Sequence, residues 1–309
     1  MPLVRLQPHL FTSLPVHPSI PANDSRPELR SFVQTALQEA LELLHSIPSS
    51  FTADPKLRPS PPCEAKVKLL RNWRKLPDAD ANKSRNKPEF WVCRQSEHVN
   101  AEAKGTASWS EFETGLRSNH AEHEMDYTPS VTGVEKLLEW TRDEIGEVEV
   151  DGLLFKDVDV EINLITHTFH PGALIAPRSF ISLTISATCD SLQAPEQLQG
   201  HASKGFVTVQ IPLLSALSST PDNLRQRITS AVPKRTIFAN YASVEQVTLL
   251  PSDSGPGRIE WTMATTSDAG GSIPQWVQRN WTMGGVPRAV VADVGLFIGW
   301  TMRRRTPAS

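Results

Sequence analysis

The stretch VPRAVVADVGLFIGW, residues 286–300, is the most apolar part of the chain and predicts a C-terminal helix. Val290, Val294 and Phe297 are spaced i, i+4 and i+7, so a helix places them on one face. A helix with such a face must bury it against another layer of the protein. These three residues are our candidates for lining a ligand cavity.

The stretch SIPQWVQRN, residues 272–280, predicts an earlier piece of the same helix. Ser272 and Gln275 have the spacing of a capping box, with Pro274 in the first turn. Gly284, Gly285 and Pro287 then interrupt the pattern. Proline cannot donate to the helical hydrogen-bond ladder, so we expect a kink or break here and a movable lid.

Upstream of this helix the sequence is rich in strands. Alternating, β-branched segments separated by Pro, Gly and Ser turns predict strands at 158–169, 179–188, 205–212, 236–250 and 257–265. Their close spacing predicts an antiparallel meander. Two earlier segments, 65–69 and 90–94, predict a hairpin with a long loop, and 134–142 fits either a strand or a helix.

The first 62 residues predict one helix and a proline-rich connector. Apolar residues recur at helical spacing from Ser25 to about His45, and Ser25 and Glu28 have capping-box spacing. Pro48 to Pro62 forms the connector. A second capping box, Ser108 with Glu111, predicts a short helix. We therefore divide the chain into an N-terminal extension (1–62), a ligand-binding domain (63–302) and a basic tail (303–309).

Composition excludes several classes of protein. The chain has 309 residues and a net charge of −3, from 31 basic and 34 acidic residues, so we expect no nucleic-acid partner. No secretory signal or membrane-spanning run is present, which predicts a cytosolic protein. Its 3 cysteines are too few and too scattered for a disulfide scaffold or a zinc knuckle. The oligomeric state is left open.

A helix lying across a strongly curved sheet leaves room for a ligand between them. The order helix, hairpin, helix, antiparallel strands and long C-terminal helix therefore predicts an α+β, helix-grip fold. In it, a curved antiparallel sheet wraps around the C-terminal helix, and the N-terminal helix is an addition.

Four segments carry a resemblance to a known family. They are FWVCRQSEH (90–98), GTASWSEFETGLRSNHAEHEMDYTPSV (105–131), SIPQWVQRN (272–280) and VPRAVVADVGLFIGW (286–300). With these, the chain resembles a fungal family of domains of unknown function in the START-like, lipid-binding superfamily. The resemblance implies an internal pocket for lipids, sterols or polyketide-like molecules. Sterol-carrying members often have a second arginine six residues after Arg178, where this chain has Thr184, so we do not expect sterol specificity.

Histidines and Arg178 are the candidate polar groups of such a pocket. His120, His123, His167 and His170 could bind a metal, act in proton transfer, or form structural hydrogen bonds. Their spacing matches no zinc-protease motif, and we expect no metal. We expect His120, His123 or His167 to contact the ligand, with His123 and His167 as the catalytic candidates if the protein is an enzyme.

Arg178 precedes an aromatic residue at the start of a predicted strand. It is our candidate for holding an anionic or carbonyl headgroup, and the alternative is a salt bridge at the rim. Trp276, on the first piece of the final helix, could be a core residue or part of the cavity roof. Arg303, Arg304 and Arg305 form a solubilising tail or a contact with anionic lipid headgroups.

Two functions fit this pattern. The first is a carrier or transfer protein for an apolar ligand, which needs only a pocket and a gate. The second is a cofactor-independent enzyme of secondary metabolism, a cyclase or dehydratase that folds its substrate in the same cavity. No dinucleotide-binding, Walker or nucleophile-elbow motif is present, so we expect no cofactor.

Overall fold

The structure is a computed structural model that describes residues 2–20, 26–76, 88–169, 175–192, 203–215, 220–250, 252, 255–280 and 285–305. Its helices are α1 (Leu29–Ser50), α2 (Trp109–Phe112), α3 (His120–Tyr127), α4 (Arg142–Ile145), α5 (Asp222–Ala231), α6 (Gln275–Gln278) and α7 (Val286–Arg305). Its strands are β1 (Thr52–Ala53), β2 (Arg58–Ser60), β3 (Cys63–Arg74), β4 (Glu89–Val99), β5 (Val131–Trp140), β6 (Val148–Val150), β7 (Leu153–His167), β8 (Arg178–Leu192), β9 (Ser203–Pro212), β10 (Ile237–Phe238), β11 (Asn240–Leu250) and β12 (Arg258–Asp268).

The long strands form one curved antiparallel sheet. Within the described residues its order is β1-β3-β4-β12-β11-β9-β8-β7-β5, with the short strands β2, β6 and β10 paired alongside. The predicted hairpin and meander are both confirmed, and the ambiguous segment at 134–142 lies mostly in β5. β4 pairs with β12, near the other end of the sequence, so the N-terminal hairpin extends the sheet begun by the meander.

Alternation along the strands gives the sheet two different faces. One face carries aliphatic residues such as Leu183, Val209 and Val244, which form one core with α1. The other face carries Trp261 and Phe206, which form a second core with α2 and α7. The sheet therefore packs between α1 on one side and α7 on the other, and the predicted α+β helix-grip architecture is confirmed.

Two predicted helix starts are wrong. The first helix begins at Leu29, and Glu28 is its N-cap, because its side chain accepts hydrogen bonds from the backbone N–H groups of Arg30 and Ser31. Ser25 lies outside the described residues. Pro274, and not Ser272, is the N-cap of α6. The capping box of Ser108 and Glu111 at α2 is confirmed.

The break in the C-terminal helix is confirmed, because α6 ends at Gln278 and α7 begins at Val286. A Cβ on Gly285 would lie 2.3 Å from the carbonyl oxygen of Gln278, so only glycine allows the two pieces to approach this closely. Trp281 and Gly284 lie outside the described residues. α7 continues to Arg305, so the three arginines assigned to a basic tail lie in its last turns.

α7 packs closely against the loop after β2. The Ser60 hydroxyl donates to the carbonyl of Val291 at 2.6 Å and accepts from the backbone N–H of Gly295 at 2.8 Å. At the C-terminal end, the Arg305 guanidinium bonds the Glu111 carboxylate and the carbonyl of Thr106. α7 is thereby fixed to the domain near its middle and at its C-terminal end. Among the described helices, none combines the length and apolarity needed to cross a bilayer.

Candidate functional site

A cavity of about 510 Å³ lies between the sheet and the helices α3, α6 and α7. Its sheet wall comes from β4, β7, β8, β9, β11 and β12, and its roof from α3 and the α6–α7 region. The volume falls in the range of roughly 300–1,000 Å³ that is usual for small-molecule pockets. The wall is largely apolar, with polar residues concentrated on the sheet, including Ser182, Thr208, Gln210, Ser243 and Glu245.

Four of the predicted ligand-binding residues line this cavity: His120, His167, Arg178 and Val290. They come from α3, the end of β7, the start of β8, and α7. These elements are distant in the sequence, and the curvature of the sheet brings them together. Ligand contact by these four residues remains a prediction, and their position is compatible with it.

The other four predicted residues lie away from the described cavity wall. Val294 and Phe297 are fully buried in the core formed with α2, where Phe297 packs against Phe112 and Trp261. His123 packs against Trp300, with a ring-centroid distance of 5.2 Å. Trp276 is 61% exposed and points outward from α6. These residues do not line the described cavity wall, and their direct contact with a ligand stays a prediction.

Arg178 holds two loops together at the rim of the cavity. Its Nε donates to the carbonyl of Ala269 at 3.3 Å, and its Nη1 donates to the carbonyl of Ala176 at 2.5 Å. Its partners are backbone carbonyls before β8 and after β12, instead of the acidic side chain expected for a rim salt bridge. Arg178 is 4% exposed, and these bonds fix the segment that leads into α6.

Two of the candidate histidines, His120 and His167, lie at the cavity. His167 Nδ1 lies 3.1 Å from the Ser130 hydroxyl, and burial lowers the pKa of His167, which favours the neutral imidazole. His120 Nδ1 is buried without a hydrogen-bond partner in the described part of the chain. His170 lies outside the described residues. Among those described, no group of three or more metal-binding side chains occurs.

The first group missed from the sequence is a buried ion pair on the sheet. Arg94 Nη2 lies 3.1 Å from Glu245 Oε1, and both side chains are almost fully buried. Trp261 Nε1 donates to the same oxygen at 2.7 Å, and the Arg94 guanidinium lies 3.8 Å from the centre of the Trp261 ring. The Nε and Nη1 atoms of Arg94 have no hydrogen-bond partner among the described residues. Because Arg94 lines the cavity, these two N–H groups lie beside it.

A signal for this pair is present in the sequence. In FWVCRQSEH, Arg94 is two residues from both Val92 and Ser96, so all three lie on the same face of the strand. A charge at this position therefore points inward. The partner acid is on β11, about 150 residues away, and no local pattern indicates it. Thr184, six residues after Arg178, is buried on β8 with its hydroxyl unpaired in the described structure.

The second missed group is Asp293 with Glu124 and Tyr127. Asp293 lies on α7, three residues after Val290, and Glu124 and Tyr127 lie on α3. All three residues line the cavity. Burial raises the pKa of Asp293 to about 7 from its ordinary value of 3.8; Arg94 opposes this shift, and the negative charges of Glu124 and Glu245 add to it. This carboxyl thus titrates near neutral pH.

Comparison with solved structures defines the class of protein. Human StAR-related lipid transfer protein 5 matches with a TM-score of 0.51 and 10% identity, over 90% of this chain and 99% of that one. Human STARD10 matches with a TM-score of 0.44 and 13% identity, over 94% and 86%. Human StarD13, in its lipid transfer and protein localization domain, gives a TM-score of 0.40 and 12% identity, over 88% and 97%. The fold of this chain is START-like.

Within that class, the chain belongs to the family described as "Protein of unknown function (DUF3074)". The model of this family matches residues 91–301, from β4 to the end of α7. A search of the curated proteins gave no match. The family match thus covers the cavity elements from Arg94 to Asp293 and leaves α1 and β3 outside.

Proposed function

We propose that this protein binds an apolar small molecule, a lipid or a polyketide-like compound, in the cavity and acts as a carrier or transfer protein. The observation that carries the proposal is the cavity itself, because its apolar walls enclose a volume suited to a small molecule. The polar groups on the sheet and on α7 would set the orientation of the ligand. A cytosolic location remains a prediction.

Native mass spectrometry of the freshly purified protein tests this proposal. We expect an apolar molecule to co-purify with the wild type. A Ser182→Trp variant, which fills the cavity from β8, should lose it. Ser230→Trp, on the exposed face of α5, is the matched control and should retain it. If the wild type carries nothing and lipid extracts fail to load it, the proposal is wrong.

Delivery of an apolar ligand would require contact with a membrane surface, and two arginines support such a contact. Arg303 and Arg304 are exposed in the last turns of α7, whereas Arg305 is bound to Glu111. The Arg304 guanidinium lies 4.8 Å from the centre of the Trp300 ring. Exposed cations of this kind attract anionic lipid headgroups by about 1 kcal/mol each.

A cofactor-independent enzyme is the second candidate, and a specific observation favours it. Several ionisable groups converge in one cavity, including Arg94, Glu124, Tyr127 and Asp293. A carboxyl that titrates near pH 7 suits general acid–base catalysis. The co-purified molecule should then change on incubation with fresh protein. A dehydratase product would be lighter by one water, whereas a cyclisation without dehydration would give an isomer of the same mass. An unchanged ligand would argue against the enzyme and leave the carrier as the remaining candidate.

A further inference from the structure

The charges that line the cavity are not balanced. The described wall holds two basic residues, Arg94 and Arg178, against three acidic ones, Glu124, Glu245 and Asp293. Arg94 is paired with Glu245, although its Nε and Nη1 have no partner among the described residues, and Arg178 bonds backbone carbonyls at the rim. Glu124 and Asp293 also line the cavity, and within the described residues neither carboxylate forms an ion pair or a side-chain hydrogen bond. Carboxylates in an apolar site are costly when they have no partner, so this pair needs an explanation.

A third polar group in the same place also has no partner. Tyr127 lines the cavity and is 7% exposed, and its ring packs against those of Phe297 and Trp300 at centroid distances of 5.9 Å. Its hydroxyl has no hydrogen bond to any described residue. A phenol that is more than nine-tenths buried normally has a partner, so this hydroxyl indicates a site for a bound polar group.

We propose that the ligand carries a protonated primary amine at its polar end, with Glu124 and Asp293 as counter-ions and Tyr127 as a further hydrogen-bond acceptor. A primary ammonium has three N–H donors and no acceptor, which matches these three acceptors. The inference rests on the proposed ligand-binding function and adds the chemical class of the ligand.

The electrostatics of the site favour a cation over the alternatives. An anionic headgroup would face two unpaired carboxylates in a medium of low dielectric, where repulsion is strong. A neutral headgroup would leave the carboxylates without a counter-ion. Burial is the main cause of the raised pKa of Asp293; Arg94 opposes the shift, and repulsion from Glu124 and Glu245 reinforces it. A cation bound beside Asp293 would therefore favour its charged form.

Three amphiphiles with the same chain separate these cases: dodecylamine, dodecanol and dodecanoate, each titrated calorimetrically at pH 8. We expect dodecylamine to bind at least about tenfold more tightly than dodecanol, and dodecanoate to bind most weakly. Asp293→Asn and Glu124→Gln should each weaken dodecylamine by about tenfold and thereby remove most of its preference over dodecanol. Asp126→Asn, on the exposed side of α3, is the matched control and should change neither.

The pH dependence of ligand binding gives a second test, which starts from the wild type. Asp293 gains its negative charge as the pH rises through about 7, so dodecylamine affinity should increase between pH 6 and 8. The other ionisable groups facing it are His120, Glu124 and Tyr127 on α3, Arg94 on β4 and Glu245 on β11. His120 also lies close to Asp293, so His120→Gln is the control that should keep the increase, whereas Asp293→Asn should abolish it.

The outcomes distinguish this inference from the carrier function. Equal binding of the three amphiphiles, or tightest binding of dodecanoate, would overturn the amine assignment and leave the carrier function standing. Failure of all three to bind would count against both. Preference for dodecylamine that survives in Asp293→Asn and Glu124→Gln would also overturn it, because the counter-ions would then lie elsewhere.

Discussion

Asp293 makes protein stability depend on pH. Its folded pKa is about 7 and its ordinary pKa is 3.8, so the folded state loses stability as the pH rises from about 4 to 7. The full shift corresponds to about 4 kcal/mol, and we expect about 1–2 kcal/mol because a carboxyl that lines a cavity can be hydrated. Asp293→Asn should therefore stabilise the protein by that amount at pH 8 and hardly at all at pH 4.

Urea denaturation at pH 4 and pH 8 measures this effect, with Asp126→Asn as the exposed control on α3. An equal change in the free energy of unfolding at both pH values would contradict the assignment. It would mean that the substitution acts through packing and not through the charge of the carboxyl.

The Arg94–Glu245 pair should show strong coupling in stability. Removal of one partner leaves a buried charge uncompensated, so Glu245→Gln and Arg94→Met should each cost about 3 kcal/mol. The double variant removes both charges and should cost at least about 2 kcal/mol less than the sum. Chemical denaturation of the four proteins gives the coupling energy, and additive losses would show that the pair is not an electrostatic unit.

The sequence analysis missed Asp293 as a cavity residue for a physical reason. Val290 was found because it lies on an apolar helical face, and Asp293 on the same side of α7 was missed because a charged residue is ordinarily assigned to solvent. Whether a helical position faces solvent or a cavity depends on the distance between α7 and the sheet. That distance is fixed by residues elsewhere, such as Ser60 and Gly295.

At the scale of elements, the docking of α7 depends on one close contact. A Cβ on Gly295 would lie 2.4 Å from the carbonyl oxygen of Pro61 and 2.6 Å from that of Ser60, and backbone atoms cannot easily move away. Gly295→Ala should therefore destabilise the protein by about 2–3 kcal/mol. Gly255→Ala meets nothing within 4 Å and serves as the control in thermal unfolding. Equal melting temperatures for both variants would contradict the close contact.

The α6 segment is held in place by one side chain, and its action as a movable lid stays a prediction. Gln278 accepts a hydrogen bond from the Ala269 N–H at 2.9 Å and donates to the carbonyl of Ile273 at 3.0 Å. It lines the main cavity on one side and a smaller cavity of about 290 Å³ near Trp73 on the other. Movement of Gln278 would thus connect the ligand site with the protein surface.

Gln278→Ala should accelerate ligand exchange by about tenfold, since two hydrogen bonds that close the lid are lost. Stopped-flow release of a fluorescent fatty amine measures this rate. Ser272→Ala, on the exposed segment before α6 and outside the described lining of both cavities, should leave the rate unchanged. Slow exchange in both variants would place the gate elsewhere.

Strand positions were predictable because alternation survives in the sequence, whereas helix starts were less so. The box at Ser108 and Glu111 formed as expected. At α1 the capping function passed to Glu28, because its side chain reaches the N–H groups two and three residues ahead. Several residues near a helix start can satisfy the same donors, so spacing alone does not select the one that is used.

At the scale of the whole molecule, α1 is part of the core. It buries nine residues, among them Leu37, Leu41 and Leu44, in the cluster that covers one face of the sheet. The proposed division between an extension (1–62) and a domain (63–302) can therefore be tested directly. We expect the fragment 63–309 to expose a large apolar patch and to aggregate, and a separate chain of residues 26–62 to restore a monomer when both are refolded together.

Size-exclusion chromatography and binding of a fluorescent apolar dye follow this experiment. A fragment 63–309 that is monomeric and as stable as the full chain would show that α1 is an independent addition. The order of elements along the chain was sufficient to predict the helix-grip architecture. The sequence did not indicate that α1 covers the sheet, because an amphipathic helix does not identify its partner face.

The two faces of the sheet separate the residues that line the cavity from the residues that pack against α1. Leu183 and Val209 face the α1 side, whereas their neighbours Ser182 and Thr208 line the cavity. Because successive residues of a strand point to opposite faces, an exchange at a cavity position leaves the aliphatic packing behind it in place. The ligand range of such a protein can therefore diversify by single substitutions with little effect on folding, so that related chains could share this scaffold and carry different molecules.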